Sequence, residues 1–181
     1  MRETVLEKLD AGLSPVRHRR FLVYVMGPYK SHITENEKMY SRLETLRDDL
    51  RSEGYNAFLA TDPDISVDEM DAGTQSLEFA RVSNVVLFIV PEDGKNLGVG
   101  IEVGAVLEEM STHQRKRILF LHEDGMRSAM IGAIGDRWDV RRKTVEDDTE
   151  LLDKSRLFIR DVMRREVYGD LSKVPGGEND P

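Results

Sequence analysis

Six consecutive apolar residues, Val85-Val-Leu-Phe-Ile-Val90, constrain this chain more than any other stretch. A strand with one wet face alternates apolar and polar side chains, and this run does not alternate. Its profile is that of a strand buried on both faces, as in a parallel sheet covered by helices above and below. A second run of the same kind, Phe21-Leu-Val-Tyr-Val-Met26, is rich in β-branched and aromatic residues and stops abruptly at Gly27-Pro28-Tyr29-Lys30. Two such strands demand crossover connections, and the segments around them have helical spacing.

Residues Thr4 to Ala11 are expected to form a short helix closed by Gly12, with Ser14-Pro15 breaking the chain behind it. After the first strand and a loop, Thr34 and Glu37 make a capping-box pattern, and Met39, Leu43, Leu46 and Leu50 recur at helical spacing to Glu53. Gly54 ends that helix. Tyr55 to Ala60 is a second strand, followed by the acidic loop Thr61-Asp-Pro-Asp64. A helix starting at Ser66 or Asp68 runs to Arg81, weakened by Gly73 in a way that allows a kink or a late start. The core strand, Asn84 to Val90, leads through the turn Pro91-Glu-Asp-Gly94 to a helix from about Val99 to Met110. Lys116 to His122 is a fourth strand, Met126 to Ile134 a short helix, and Trp138 to Val140 a brief fifth strand or an extended cover. Asp147 to Val167 closes the fold as a long helix, and Lys173 to Pro181 has the composition of a disordered tail.

Strands alternating with helices imply a doubly wound parallel α/β sheet of four to five strands, three layers deep and flavodoxin-like in size. The expected organisation is an N-terminal helical extension (1–20), a single α/β domain (21–170) and a tail (171–181). Right-handed crossovers place every loop that follows a strand on one edge of the sheet. That edge would carry Gly27 to Ile33, Thr61 to Asp64, Pro91 to Gly100 and His122 to Gly125.

The net charge of −8 disfavours a nucleic-acid backbone as partner, because phosphate binding needs a basic field. The basic clusters Arg17 to Arg20, Arg115 to Arg117 and Arg137 to Lys143 are the one feature pulling the other way. There are no cysteines, which removes disulfides, thiolate metal sites and a thiol nucleophile. No apolar run has the length of a membrane span, and residues 1–8 lack a signal-peptide core, so a cytoplasmic protein is expected. An acidic composition in which Arg outnumbers Lys resembles that of proteins from salt-loving microbes such as halophilic archaea; an ordinary acidic cytosolic protein is the alternative.

The stretch Asn96-Leu-Gly-Val-Gly-Ile-Glu-Val-Gly-Ala105 follows the core strand at that edge. Gly98 and Gly100 allow close backbone approach, and Glu102 enters the first turn of an apolar helix. It is not the dinucleotide fingerprint, since position 103 is Val and Gly104 comes a residue late. No Gly-Lys-Ser/Thr occurs either, so Walker-type phosphate binding is not expected. Glu102 has two readings: an acid favoured by the helix N-terminus, or a carboxylate nucleophile toward an electrophilic sugar carbon. His113 and His122 lack metal-ligand spacing, Asp62, Asp64 and Asp68 read as an exposed acidic loop, and no metal or other cofactor is implied.

Taken together, Val-Tyr-Val-Met-Gly-Pro-Tyr (23 to 29) and Asn96 to Ala105 resemble the nucleoside 2-deoxyribosyltransferase family, over roughly residues 21 to 122. The resemblance implies N-glycosidic bond chemistry on a small-molecule nucleoside or nucleotide, by hydrolysis or by transfer of the sugar. Glu102 would attack the anomeric carbon, Tyr29 would position sugar or nucleophile, and Gly27, Pro28, Lys30, Asp71, Asn96, Gly98 and Gly100 would line the pocket. Glu78 is a second match for the family acid assigned to Asp71. The family also implies a homo-oligomer, since related enzymes complete their sites from a neighbouring subunit. Two departures stand out: the acid six residues before the nucleophile is Asn96, and the acid that often opens the core strand is Asn84. The alternative is a non-catalytic nucleotide-binding module, or a TIR-like module related to NAD signalling, on the same kind of sheet.

Overall fold

The computed structural model describes residues 2–12, 21–27, 34–65, 70–90, 104–123, 136–172 and 174. Five parallel strands, β1 (Leu22–Met26), β2 (Asn56–Phe58), β3 (Val85–Val90), β4 (Ile118–Glu123) and β5 (Arg141–Val145), form one sheet in the order β2-β1-β3-β4-β5. The expected doubly wound α/β sheet is therefore present, with five strands. Chain order reverses between β1 and β3, which pair from Val23↔Val85 to Met26↔Phe88. That is the switch point, because the helices that follow the two strands cover opposite faces of the sheet.

The helices are α1 (Arg2–Gly12), α2 (Thr34–Ser52), α3 (Ala72–Val82), the described part of α4 (residues 104–109), α5 (Thr112–Arg115), a described turn of α6 (residues 136–138) and α7 (Asp148–Val167). Strand side chains alternate between the two faces, and two cores result. On one face Leu22, Tyr24, Met26, Val86, Phe88, Ile118 and Phe120 pack beneath α1, α3 and α4. On the other, Val23, Val25, Val85, Leu87, Ile89, Leu119 and Leu121 pack beneath α2 and α7. This explains the unbroken apolar runs: odd and even positions each meet a helix layer. The first face is aromatic, with Tyr24 stacked on Phe58 at 5.1 Å and Phe88 on Phe120 at 4.8 Å.

Local chemistry sets the helix ends. α2 buries Leu43, Leu46 and Leu50 and stops at Gly54, whose φ of +95° suits a residue without Cβ. Asp147 caps α7 by accepting from the Glu150 amide at 2.8 Å. α3 takes the late start: its cap is Asp71, which accepts from the Thr74 amide at 3.0 Å, and Gly73 falls harmlessly in the first turn. The expected starts at Ser66 and Asp68, and the helix expected over Met126 to Ile134, lie outside the described residues.

Two expectations need correction. The fifth strand is not Trp138 to Val140: residues 136–138 are helical, Asp139 reverses the chain at φ +52°, and the strand begins at Arg141. Its Arg-Arg-Lys-Thr sequence conceals it, because this is an edge strand with exposed side chains, a position where charge discourages pairing with other chains. The acidic loop is not wholly exposed either. Asp62 is buried, accepting from the Leu59 amide at 3.1 Å, from Arg51 at 2.8 Å and from Arg47.

Candidate functional site

All five strands are parallel, so their C-terminal ends share an edge, and the described residues there come from seven elements. Gly27 leaves β1 beside the end of β3. A Cβ built on it would stand 2.9 Å from both methyls of Leu43 in α2 and 3.2 Å from the Ile89 carbonyl oxygen. Leu43 is fully buried, so the glycine is required by α2 and β3 crowding the end of β1. The residues after it, Pro28, Tyr29 and Lys30, lie outside the described residues, as do Asn96, Gly98, Gly100 and Glu102. In sequence, Glu102 stands two residues before the described part of α4, and a Cβ at Gly104 would meet no heavy atom within 4 Å among the described residues.

Asp71 is at this edge, because α3 descends from it to the start of β3. Its carboxylate is committed to the helix cap: one oxygen accepts from the Thr74 amide, the other from the Thr74 hydroxyl at 2.6 Å. The hydroxyl contact first, and the amide second, hold the Asp71 carboxyl below the usual carboxylate range. Glu78, the other match for the same family acid, is buried about two turns further down α3 and accepts from Arg81 at 2.7 Å.

On the aromatic face His122, one residue before the end of β4, lies abreast of Val90, half-buried, with its Nδ1 3.1 Å from the Glu123 carbonyl oxygen. On the opposite face Arg42 ties α2 to Glu123 of β4 and to Asp148 of α7. Tyr40 of α2 meets Thr61 at 2.9 Å. Among the described residues no group of three or more His, Asp or Glu converges as a metal site.

Asn84 is not part of this edge. It precedes β3, about 20 Å from that strand's far end at ~3.3 Å per residue. There its Oδ1 accepts from the Leu22 amide at 2.8 Å and its Nδ2 donates to Glu166 at 2.9 Å. Its being Asn and not Asp therefore serves strand pairing and removes no acid from the site.

One residue at the edge escaped the sequence reading. Gln75, one turn into α3, is 8 % exposed, and its amide nitrogen has no hydrogen-bond partner among the described residues. The available signal was a polar residue four before Phe79 and seven before Val82, hence on the buried side of an apolar helix.

A family model described as a domain of unknown function, DUF7509, matches residues 32–175. The chain belongs to that family. The match spans α2 through α7 and includes the Asn96 to Ala105 motif, whereas β1 and the Gly-Pro-Tyr loop precede it. Among curated proteins none matches. Among solved structures, a CMP N-glycosidase from Clostridium botulinum is 17% identical, with 75% of this chain and 98% of that one covered and a TM-score of 0.49. The flavodiiron core of Flv1 from Synechocystis sp. is 13% identical, with 81% of this chain and 37% of that one covered and a TM-score of 0.50. At 13% identity the likeness to the Flv1 core shows a shared fold alone.

Proposed function

We propose that this protein acts on the N-glycosidic bond of a nucleoside or nucleotide, with Glu102 as nucleophile. The observation that carries the reading is topological. β1 and β3, the strands that precede the two motifs of the deoxyribosyltransferase resemblance, are hydrogen-bonded neighbours whose ends meet at the switch point. The strands that precede these motifs, some 70 residues apart in sequence, thus run side by side toward the edge where open α/β sheets take their ligands, which supports a shared site.

In this reaction the Glu102 carboxylate bonds to the sugar's anomeric carbon as the carbon–nitrogen bond breaks. The base leaves with the electron pair and takes up a proton. Water, or the nitrogen of a second base, then attacks the same carbon and releases the carboxylate. Tyr29 would orient the sugar, while Gly27, Pro28, Lys30, Asp71, Asn96, Gly98 and Gly100 would border the pocket. Asn96 can hydrogen-bond a base but donates a proton poorly, so a base that leaves readily as an anion, or one protonated by solvent, suits this site best. The same Asn96 favours the second reading, a nucleotide-binding module without turnover. A nearby second subunit completing the pocket, and a cytoplasmic location, belong to the same proposal.

The test is to incubate the protein with nucleosides, nucleotides and NAD and to measure released base. Release that falls by at least ~10³-fold in Glu102→Gln is the expected result for loss of a nucleophile. Binding without release, unchanged by that substitution, establishes the second reading. Absence of both binding and release overturns the proposal.

A further inference from the structure

The whole described surface and interior offer one polar group whose state calls for a ligand. Gln75 is more than nine-tenths buried, and the two N–H donors of its side-chain amide have no acceptor among the described residues. Folded proteins leave few such donors unpaired, because a buried N–H without an acceptor keeps its desolvation cost and gains nothing in return.

Its position follows from its neighbours. Ser76, the next residue, accepts a hydrogen bond from the buried Tyr24 hydroxyl of β1 at 3.4 Å. Phe79, one turn further, packs edge-on against Tyr24 at 5.7 Å and against Phe58 at 5.4 Å. Gln75 precedes Phe79 by four residues, about 6 Å of helix rise toward the C-terminal edge, which corresponds to roughly two strand residues. That brings it level with Met26, abreast of Phe88, where β1 and β3 end. At the N-terminus of α3 both Asp71 oxygens accept from Thr74, one from its amide and one from its hydroxyl.

We propose that the Gln75 amide is a binding residue of the switch-point site and donates to an oxygen of the bound nucleoside, either a sugar hydroxyl or a ring carbonyl. This assignment rests on the N-glycosidic reading above. Such a group, without an acceptor among the described residues, acquires one on binding, a stability cost retained for function. Glutamine suits the task because it is neutral, so neither burial nor an adjacent carboxylate nucleophile alters its charge.

The decisive variant is Gln75→Met, similar in volume and without donors, with Gln75→Glu as a second that keeps an acceptor and loses the donor. In Gln75→Met the melting temperature should stay level or rise, because no native hydrogen bond is lost. KM, or Kd measured on the Glu102→Gln background, should rise at least 10-fold with kcat changing less. Gln75→Glu should show the same weakening. Ribosides against 2′-deoxyribosides, and uridine against adenosine, identify the oxygen: the preference that disappears in Gln75→Met names the group contacted. A melting temperature that falls by several degrees in Gln75→Met assigns the amide to the fold and overturns the proposal. Base release with unchanged KM overturns it as well while leaving the Glu102 reading intact. A wild-type protein that neither binds nor cleaves any nucleoside overturns both.

Discussion

The two ends of the parallel sheet are built on opposite principles. At the N-terminal end the buried polar groups Arg117, Asn84 and Glu166 find their partners in one another. Arg117, at the threshold of β4, donates to Glu166 of α7, to the Ser172 carbonyl oxygen and, at 3.3 Å, to the Asn84 carbonyl oxygen. Asn84 holds β1 through the Leu22 amide and α7 through Glu166. One cluster thus joins the starts of three strands, the closing helix and the segment that follows it, and Leu171 is buried beside it. At the C-terminal end Asp71 is spent on a cap, a Cβ on Gly27 would press on the buried Leu43, and Gln75 is buried with no acceptor for its amide nitrogen among the described residues. The first cluster finds its partners within the polypeptide. At the second end the donor is the one we propose to meet a ligand.

If that contrast is right, substitutions at the first end should lower stability and spare base release per folded molecule. The largest effect is expected from Arg117→Met. Arg117 and Glu166 are both about nine-tenths buried, and removing one partner leaves a buried charge uncompensated, a loss of roughly 3–5 kcal/mol. Urea denaturation measures it, and a loss under ~1 kcal/mol would show that the cluster is wetter than its burial suggests.

Asn84→Asp comes next and bears most directly on the comparison. It restores the family acid, yet places a second carboxylate against Glu166 in place of a donor. We expect stability to fall by about 1.5–3 kcal/mol, the scale of a hydrogen bond to a charged group, with no gain in base release. Increased release would move Asn84 into the site and end the distinction between the two ends.

The smallest effect is expected from Asp71→Ala, read as melting temperature against pH. Folding depresses the Asp71 pKa, chiefly through the Thr74 hydroxyl. A depressed carboxylate stabilises the fold above its unfolded pKa of about 3.9 and loses that contribution as pH falls through the lower folded value. Wild type should therefore melt above Asp71→Ala at neutral pH, and the two should converge in acid. A constant gap down to the folded pKa and below would mean that Asp71 acts by something other than its charge.

Much of the fold was legible because local pattern and tertiary environment agreed. Phe21 to Met26 and Val85 to Val90 read as doubly buried strands and are, since each of their faces meets a helix layer. Asp147 and Gly54 end helices by interactions that span three or four residues, so their sequence neighbourhoods sufficed. Arg141 to Val145 was not legible, because an edge strand needs hydrogen bonds from only one neighbour and no apolar side chains on a face that stays wet. Asp62 was misread for the reverse reason. Two arginines from α2 turn an apparently exposed acid into a buried one, and no spacing in the sequence records that they meet.

The site divides along the same line. The sequence by itself determined which segments are the candidates for chemistry: a Gly-Pro-Tyr turn after one buried strand, and Asn96 to Ala105, with its single acid Glu102, after another. Those assignments depend on residue type and short-range order, which the chain displays directly. That the two strands are neighbours, that Asn84 belongs to the far end and that Gln75 is buried without an acceptor were decided by tertiary structure alone. Each depends on which elements pack together across tens of residues, and strand order within a parallel sheet is set by crossover packing on its two faces, which no local pattern encodes.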